Sequence, residues 1–298
     1  MVRQYKIHTD LDGTDDKVWD VTNGKVRFYQ PSNLGLQSTN NIWQSNGIGV
    51  MGTRSITQPQ IEFKLETFGE SLEENYQLMK DFVNDILSKK FVTLEYQTEI
   101  FQVYADLALA DVTKTEGYGN NGTFSEKITF DIITKWYTYE NLTFDMIKNG
   151  KVIAGKSKIY GGTAPGDYKY VKGTSYTYYG ESDIDRLSRW DIKEEIFSFV
   201  GILYPHLPKT PTGVRFLDDI GNEYTAIVFK TEQLQNYILI NTDVNDEIYQ
   251  GWKGTTPLNL FPVMDFERYR TRIIEHGQME LINLSKAEFK IKRKADFV

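Results

Sequence analysis

The sequence predicts a mostly β protein with a minor α part, organised in two domains. The chain has 298 residues, which is more than a single hydrophobic core usually holds. Short runs rich in β-branched and aromatic residues alternate with clusters of turn-forming residues. Aromatic residues make up 14% of the chain. That content favours half-buried strand surfaces and, as a second interpretation, anchors for an interface.

The first predicted strands, Tyr5 to His8 and Val26 to Tyr29, lie on either side of an acidic turn. The turn contains four aspartates, at Asp10, Asp12, Asp15 and Asp16. Their carboxylates offer oxygen ligands to calcium, but their spacing departs from the EF-hand order. A solvated acidic turn is the favoured interpretation, and calcium stays open as a ligand.

A capped helix follows the strand Gln60 to Glu66, in which polar and apolar residues alternate. Ser71 and Glu74 form a capping box, and Lys89 and Lys90 suit a helix C-terminus. Apolar residues recur at steps of four and three, at Leu72, Tyr76, Met79, Val83 and Ile86. This spacing predicts a helix over 71–90 with one apolar stripe, the side that normally faces a core.

Strand patterns return after the helix, at Phe91 to Tyr96, Ile100 to Tyr104 and Lys127 to Ile132. Residues 1–136 therefore form the first predicted domain, a β domain with one helix. From Ile196 onward short strands and turns recur at regular intervals, which predicts an antiparallel sandwich within a second domain, 137–298. The basic residues of its last strand, Lys286, Lys290, Lys292, Arg293 and Lys294, are expected on the solvated side.

The segment from Asn141 to Gly180 is rich in glycine and tyrosine and poor in large aliphatic residues after Ile159, so it cannot fill a core alone. It is either a projecting β arm or an ordinary strand meander with tyrosines on its faces. A second helix, of undetermined length, is predicted to begin at Ser182, with Ile184, Leu187 and Trp190 on one side.

Charge and composition exclude several functions. The net charge of −7 gives no general attraction to nucleic-acid phosphates. Without cysteine there is no disulfide, thiolate nucleophile or thiolate metal site, which fits folding in a reducing cytosol. The first residues lack the apolar core of a signal peptide, and no apolar run reaches the ~20 residues of a membrane helix.

No catalytic motif is supported by its context. His8, His206 and His276 have no partner at metal-ligand spacing and are expected on the surface or in turns. A literal G-x-G-x-x-G spans Gly47 to Gly52, but β-branched residues and a proline follow it, so no helix start is available to hold a pyrophosphate. The N-x-[ST] sequons at Asn121, Asn141 and Asn283 are interpreted as turn chemistry.

The order of elements resembles the N-terminal domain of siphophage distal tail proteins, the Dit family. The resemblance rests on a strand, the capped helix, Phe91 to Tyr96, further strands, and the run Phe130 to Tyr137 with its Trp136. With the following β domain it covers essentially the whole chain. The length of the chain and segments such as Tyr176 to Trp190 resemble the Dit proteins of lactococcal siphophages in particular.

This resemblance implies a hexameric ring of N-terminal domains, each with one helix and a β-hairpin, around the tail channel through which DNA passes. It implies galectin-like C-terminal sandwiches outside the ring. An arm and hand extension, placed at about 141–195, would grip trimers of the receptor-binding protein. The candidate gripping residues are Tyr160, Tyr168, Tyr170, Tyr176, Tyr178, Tyr179 and Trp190. The other implied partners are the tail-tip protein and the major tail protein or tape measure.

Two further hypotheses remain beside this structural hub at the distal end of the virion tail. A carbohydrate-binding β-sandwich would contact the host cell wall through tyrosines that stack on sugars, although no sugar-binding set is evident and the fold alone does not imply one. A glycoside hydrolase would need two carboxylates that face each other across a cleft. The chain has 41 acidic residues, so pairs must occur, but the sequence does not locate such a pair. The interpretation favoured here is that the chain is not an enzyme.

Overall fold

The structure is a computed structural model. It describes residues 3–13, 15–35, 37–57, 60–114, 123–145, 147–148, 151–152, 177–179, 185–187, 189–232, 235–244 and 246–295. Within them the chain is mostly β, as predicted, and it divides into two compact units. The first comprises Met1–Thr138 with Ala295–Val298, and the second comprises Tyr139–Lys294. The function assigned to each unit stays a prediction.

Antiparallel pairs build the first unit. Its elements are β1 Gln4–His8, β2 Val18–Asp20, β3 Val26–Ser32, β4 Gln37–Ser45, β5 Ile48–Thr57, β6 Ile61–Thr67, α1 Leu72–Leu87, β7 Val92–Gln97, β8 Gln102–Thr113 and β9 Ser125–Ile132. Seven strands pair in the order β2, β1, β7, β8, β9, β6, β3, while β4 and β5 form a separate two-stranded sheet among the described residues. In β6 every second residue is buried, which confirms the strand predicted from its alternation.

Helix α1 begins as the capping box predicts. The Ser71 Oγ accepts a hydrogen bond from the Glu74 backbone N–H at 3.1 Å. The Glu74 carboxylate reaches back as predicted, but it accepts from the Glu70 N–H at 2.7 Å, one residue before the N–H that a capping box uses. The helix ends at Leu87, one turn before the predicted Lys90, because Ser88 already caps it. No helix among the described residues has the length and apolarity to cross a membrane.

The side of α1 that faces the core agrees with the prediction in part. Of the predicted stripe, Ile86 is buried and Met79 and Val83 pack, partly buried, against the core, whereas Leu72 and Tyr76 are 54% and 60% exposed. Phe82, outside the predicted stripe, is also buried. Phe82 packs edge-on against Phe28 at a ring distance of 5.8 Å. The core-facing side therefore includes Phe82 and the later residues of the predicted stripe, while Leu72 and Tyr76 at the start of the stripe stay exposed.

Two large sheets and two separate strand pairs form the described part of the second unit. Its elements are β10 Tyr137–Asp145, within which the division between units falls, β11 Ile147–Lys148, β12 Lys151–Val152, β13 Thr177–Tyr179, β14 Asp185–Leu187, β15 Arg189–Ile192, β16 Ile196–Pro205, β17 Thr212–Leu217, β18 Glu223–Phe229, β19 Tyr237–Asn241, β20 Ile248–Lys253, β21 Thr256–Asn259, a 3-10 helix Phe261–Val263, β22 Gly277–Ile282 and β23 Leu284–Lys294. One sheet runs β10, β23, β16, β19, β20, β21 and the other β15, β22, β17, β18.

Side chains from both sheets meet in one core, as the sandwich prediction requires. Phe199 of β16 lies 6.0 Å from Phe216 of β17 between ring centroids, and Phe289 of β23 lies 5.7 Å from Phe199. Gly201 makes this packing possible, since a Cβ there would lie 3.0 Å from the Phe289 ring. The second unit is therefore a β-sandwich.

Two predictions for the second unit are wrong. The helix predicted from Ser182 is not formed in its described part, where β14 and β15 are strands. Lys292 does not lie on the solvated side of β23, since its residue is 7% exposed and its Nζ lies 3.1 Å from the Asp243 carboxylate. Asp243, which follows β19, covers this end of β23 and takes the lysine out of solvent.

Candidate assembly surface

A tight turn joins β4 and β5 into a hairpin. The turn consists of Asn46 and Gly47, with φ angles of +50° and +80°, and Ser45 pairs directly with Ile48. Two central residues with positive φ are the mark of a type I′ turn, whose twist matches that of the flanking strands, and Asn-Gly is its favoured sequence. The local sequence therefore specifies this hairpin without help from a core.

The hairpin exposes large apolar side chains on both of its faces. Every residue from 38 to 55 is exposed. The register places Trp43, 68% exposed, on one face with Val50 and Ile48, which are 63% and 70% exposed. The other face carries Ile42 and Met51, which are 53% and 49% exposed.

Glycines let these side chains lie across the neighbouring strand. A Cβ at Gly52 would stand 3.1 Å from the Trp43 Nε1, and one at Gly49 would stand 3.2 Å from the Ile42 Cγ2. The G-x-G-x-x-G run thus belongs to a hairpin strand and its turn, which confirms that it is not a phosphate-binding loop before a helix. Its glycines leave room for cross-strand packing.

Such a hairpin is an interaction surface. A two-stranded ribbon with free edges and exposed aliphatic and aromatic residues is an aggregation risk unless a partner covers it. Trp43 supplies a large contact area, and tryptophan is enriched among the residues that dominate binding energy. The hairpin has the composition of an anchor for another protein, and its described residues include none of the groups used in acid–base catalysis.

The acidic turn is held by a buried polar network. His8 is 8% exposed, and its Nδ1 lies 2.7 Å from the Asp16 carboxylate while its Nε2 lies 2.9 Å from the Glu95 carboxylate. Lys6 Nζ and Gln102 Nε2 both donate to the second Glu95 oxygen at 2.9 Å. The expectation that His8 is a surface or turn residue is therefore wrong, because β1 turns its side chain inward.

Electrostatics within this network favour the charged form of Glu95. Burial alone would raise the pKa of this carboxyl, but hydrogen bonds from His8 and Lys6 outweigh burial and hold its pKa below the ordinary 4.5. The network ties the turn to the sheet, since Asp16 also accepts a hydrogen bond from the Asp10 N–H at 3.0 Å.

Other charges of the turn also contact the protein. Lys89 Nζ lies 3.7 Å from the Asp10 carboxylate and 3.8 Å from that of Asp15. Among the residues that the structure describes, no group of three or more histidine, aspartate or glutamate side chains is placed to hold a metal ion. Of the remaining histidines, His206 is partly buried after β16, which lowers its pKa, and His276 is exposed.

Most of the predicted gripping tyrosines lie outside the described residues, namely Tyr160, Tyr168, Tyr170 and Tyr176. Tyr178 and Tyr179 belong to β13, which pairs with β14. Trp190 lies in β15 and packs, partly buried, against the core of the second unit. Trp190 is thus a core-contacting residue in this structure, and the gripping role of the others stays a prediction.

Sequence reasoning overlooked the hairpin residues Ile42, Trp43, Ile48, Val50 and Met51. The signal that would have located them is the Asn46-Gly47 dipeptide between two runs of apolar residues, the strongest short-range mark of a hairpin.

Comparison with known proteins gives concordant results along the whole chain. Residues 4–133 match the model of the distal tail protein N-terminal domain, and residues 135–298 match that of the Dit C-terminal domain. The distal tail proteins of Lactococcus phages p2 and SK1 are 95% and 91% identical over 298 residues, with complete coverage of both chains.

Solved structures agree with this result. A chain in the phage p2 baseplate, in its activated conformation with calcium, shares 93% identity, full coverage of both chains and a TM-score of 0.78. The SPP1 Dit protein, at 12% identity, gives a TM-score of 0.50 with 98% of this chain and 99% of that chain covered. At that identity the SPP1 likeness concerns the fold alone.

Proposed function

Because this chain belongs to the distal tail protein (Dit) family, a family of structural phage tail proteins, we propose that it forms a hexameric ring at the distal end of a siphophage tail. The ring is the hub of the baseplate and joins the tail tube to the tail-tip protein. Its assembly, not a chemical reaction, is the function of the chain. The protein is made in the host cytoplasm and acts in the virion.

The observation that carries the ring proposal is the exposed hairpin of the first unit. A closed ring of identical subunits needs a surface on each chain that contacts a different surface on the next. The hairpin is well suited to this role because its strands form a sheet separate from the main sheet of the unit. It presents Trp43, Ile48 and Val50 together on one face. Since residues 4–133 match the N-terminal family domain, we assign ring formation to the first unit.

The second unit is proposed to hold the receptor-binding protein trimers at the periphery, through the segment around 141–195. Tyr178 and Tyr179 lie in this segment, on β13. DNA is proposed to pass through the ring, which the overall net charge of −7 favours, because a negative protein does not retain a phosphate backbone.

The mass of the purified full-length chain in solution tests the ring. Light scattering over a range of concentrations should approach six times the chain mass of 34.5 kDa. A single-chain mass at every concentration would contradict the proposal. The carbohydrate-binding alternative would then gain support if a wall glycan bound and the binding was lost in Tyr178→Ala.

A further inference from the structure

Helix α1 exposes large apolar side chains beside its buried residues. Leu72, Tyr76 and Leu87 are 54%, 60% and 62% exposed. With 3.6 residues per turn these three positions fall within about 60° of one another around the helix axis. They form the exposed stripe, defined here as Leu72, Tyr76 and Leu87. Next to this stripe, Met79 and Val83 pack with Phe82 and Ile86 against the core, so the helix is held on one flank and exposed on the other. The Tyr76 ring also lies 6.4 Å from that of Phe124.

We infer that the exposed stripe of α1 receives the hairpin of a neighbouring copy of the chain. This inference rests on the proposed ring and names the surface that accepts the hairpin. In a ring each subunit contacts one neighbour through a first surface and the other neighbour through a second, different surface. The hairpin is the surface that docks onto the neighbour, and the exposed stripe is the apolar surface of the same unit that receives the hairpin of the other neighbour.

The dimensions of the two surfaces are compatible. From Leu72 to Leu87 the stripe is about 22 Å long at 1.5 Å per residue. The apolar part of β5, from Ile48 to Met51, is about 10 Å long at 3.4 Å per residue. The stripe can therefore accommodate the tip together with the strands behind it. Residues 38 to 55, all exposed, approach the roughly 20–30 residues that each side of a specific interface contributes.

The charges of the two surfaces are complementary. Between residues 37 and 57 the only charged residue is Arg54. In the first turn of α1 the exposed Glu73 lies about 60° around the axis from Tyr76, whereas Glu74 is paired with Lys25. The exposed Lys80 lies beside the stripe two turns later. Arg54 is attracted to Glu73 and repelled by Lys80, which favours the direction that sets Arg54 at the N-terminal end of the stripe. Two hairpins facing each other would instead bring like charges together.

A mixing experiment with two double variants tests this assignment. Trp43→Ser/Val50→Ser disables the hairpin, and Leu72→Ser/Tyr76→Ser disables the stripe. All four side chains are exposed, so the monomer should keep its circular dichroism spectrum and unfolding midpoint. Each variant alone should lose the ring, with association weakened about 100-fold or more. Gln77→Ser, at an exposed position away from the stripe, is the matched control and should keep the ring.

The equimolar mixture of the two variants gives the decisive result. An intact hairpin on one chain then meets an intact stripe on the other, and growth stops there because the remaining surfaces are disabled. Light scattering should find twice the chain mass. A mixture that stays monomeric, or a stripe variant that still forms the wild-type ring, overturns the inference while leaving the proposed ring standing. A monomeric wild-type chain overturns both.

Discussion

Replacing Trp43 by alanine should break subunit association while leaving the fold unchanged. The side chain is 68% exposed and lies on the hairpin, away from either core. A tryptophan offers up to about 250 Å² of surface, so about 170 Å² remains to be buried by a partner. At about 25 cal/mol/Å² this amounts to roughly 4 kcal/mol, and residues of this kind commonly contribute at least 2.

The expected consequence is a dissociation constant raised by about 30-fold to several hundredfold at each contact. Sedimentation velocity over a concentration series measures the shift from ring to smaller species. Ile220→Ala is the control, because Ile220 is 83% exposed but lies in the second unit, outside the hairpin. An unchanged sedimentation profile for Trp43→Ala would refute the reasoning, and so would an equal loss of association in the control.

Two further predictions concern stability. Glu95→Gln should lower the free energy of unfolding at neutral pH by about 2 kcal/mol, because Lys6 and His8 lose their charged partner. Since the pKa of Glu95 is lowered in the folded state, its contribution is present above pH 4.5 and is lost as the pH falls through the folded-state pKa, so denaturant titrations from pH 7 to pH 3 should converge for the two proteins. A constant gap across this range would contradict the network. Asn283→Ala should cost about 2–4 kcal/mol, since Asn283 is fully buried, has a φ of +51° and donates from its Nδ2 to Thr212 Oγ1 at 2.8 Å. Thermal unfolding measures this loss, and a midpoint equal to that of the wild type would show that the Asn283 bonds are dispensable.

Local patterns in the sequence predicted much of the fold. The alternation in β6 and the N-cap at Ser71 each depend on neighbouring residues only, and both are confirmed. Periodicity located the apolar sector of α1 but not its limits. Met79, Val83 and Ile86 of the predicted stripe contact the core, whereas Leu72 and Tyr76 satisfy the same spacing and stay exposed.

Long-range contacts could not be predicted from local patterns. His8 and Glu95 meet because β1 pairs with β7 in a register that sets Lys6 opposite Glu95. Nothing near His8 in the sequence indicates this register, so the histidine was expected on the surface. Lys292 is buried for a similar reason, since Asp243, distant in the sequence, covers its side chain.

The candidate site was within reach of sequence reasoning but was tested for the wrong chemistry. The glycines from Gly47 to Gly52 were compared with a phosphate-binding loop, whereas the Asn46-Gly47 dipeptide already indicated a hairpin. The sequence does not reveal whether the apolar residues of the hairpin face a core. Only the folded chain shows that Trp43 and its neighbours are exposed.

Electron microscopy of the purified full-length chain tests the central claim most directly. Class averages should show closed rings with six-fold symmetry and a central channel, and Trp43→Ala should abolish them under the same conditions. Single particles of one chain, or rings that persist without Trp43, would contradict the hairpin-mediated assembly of this distal tail protein.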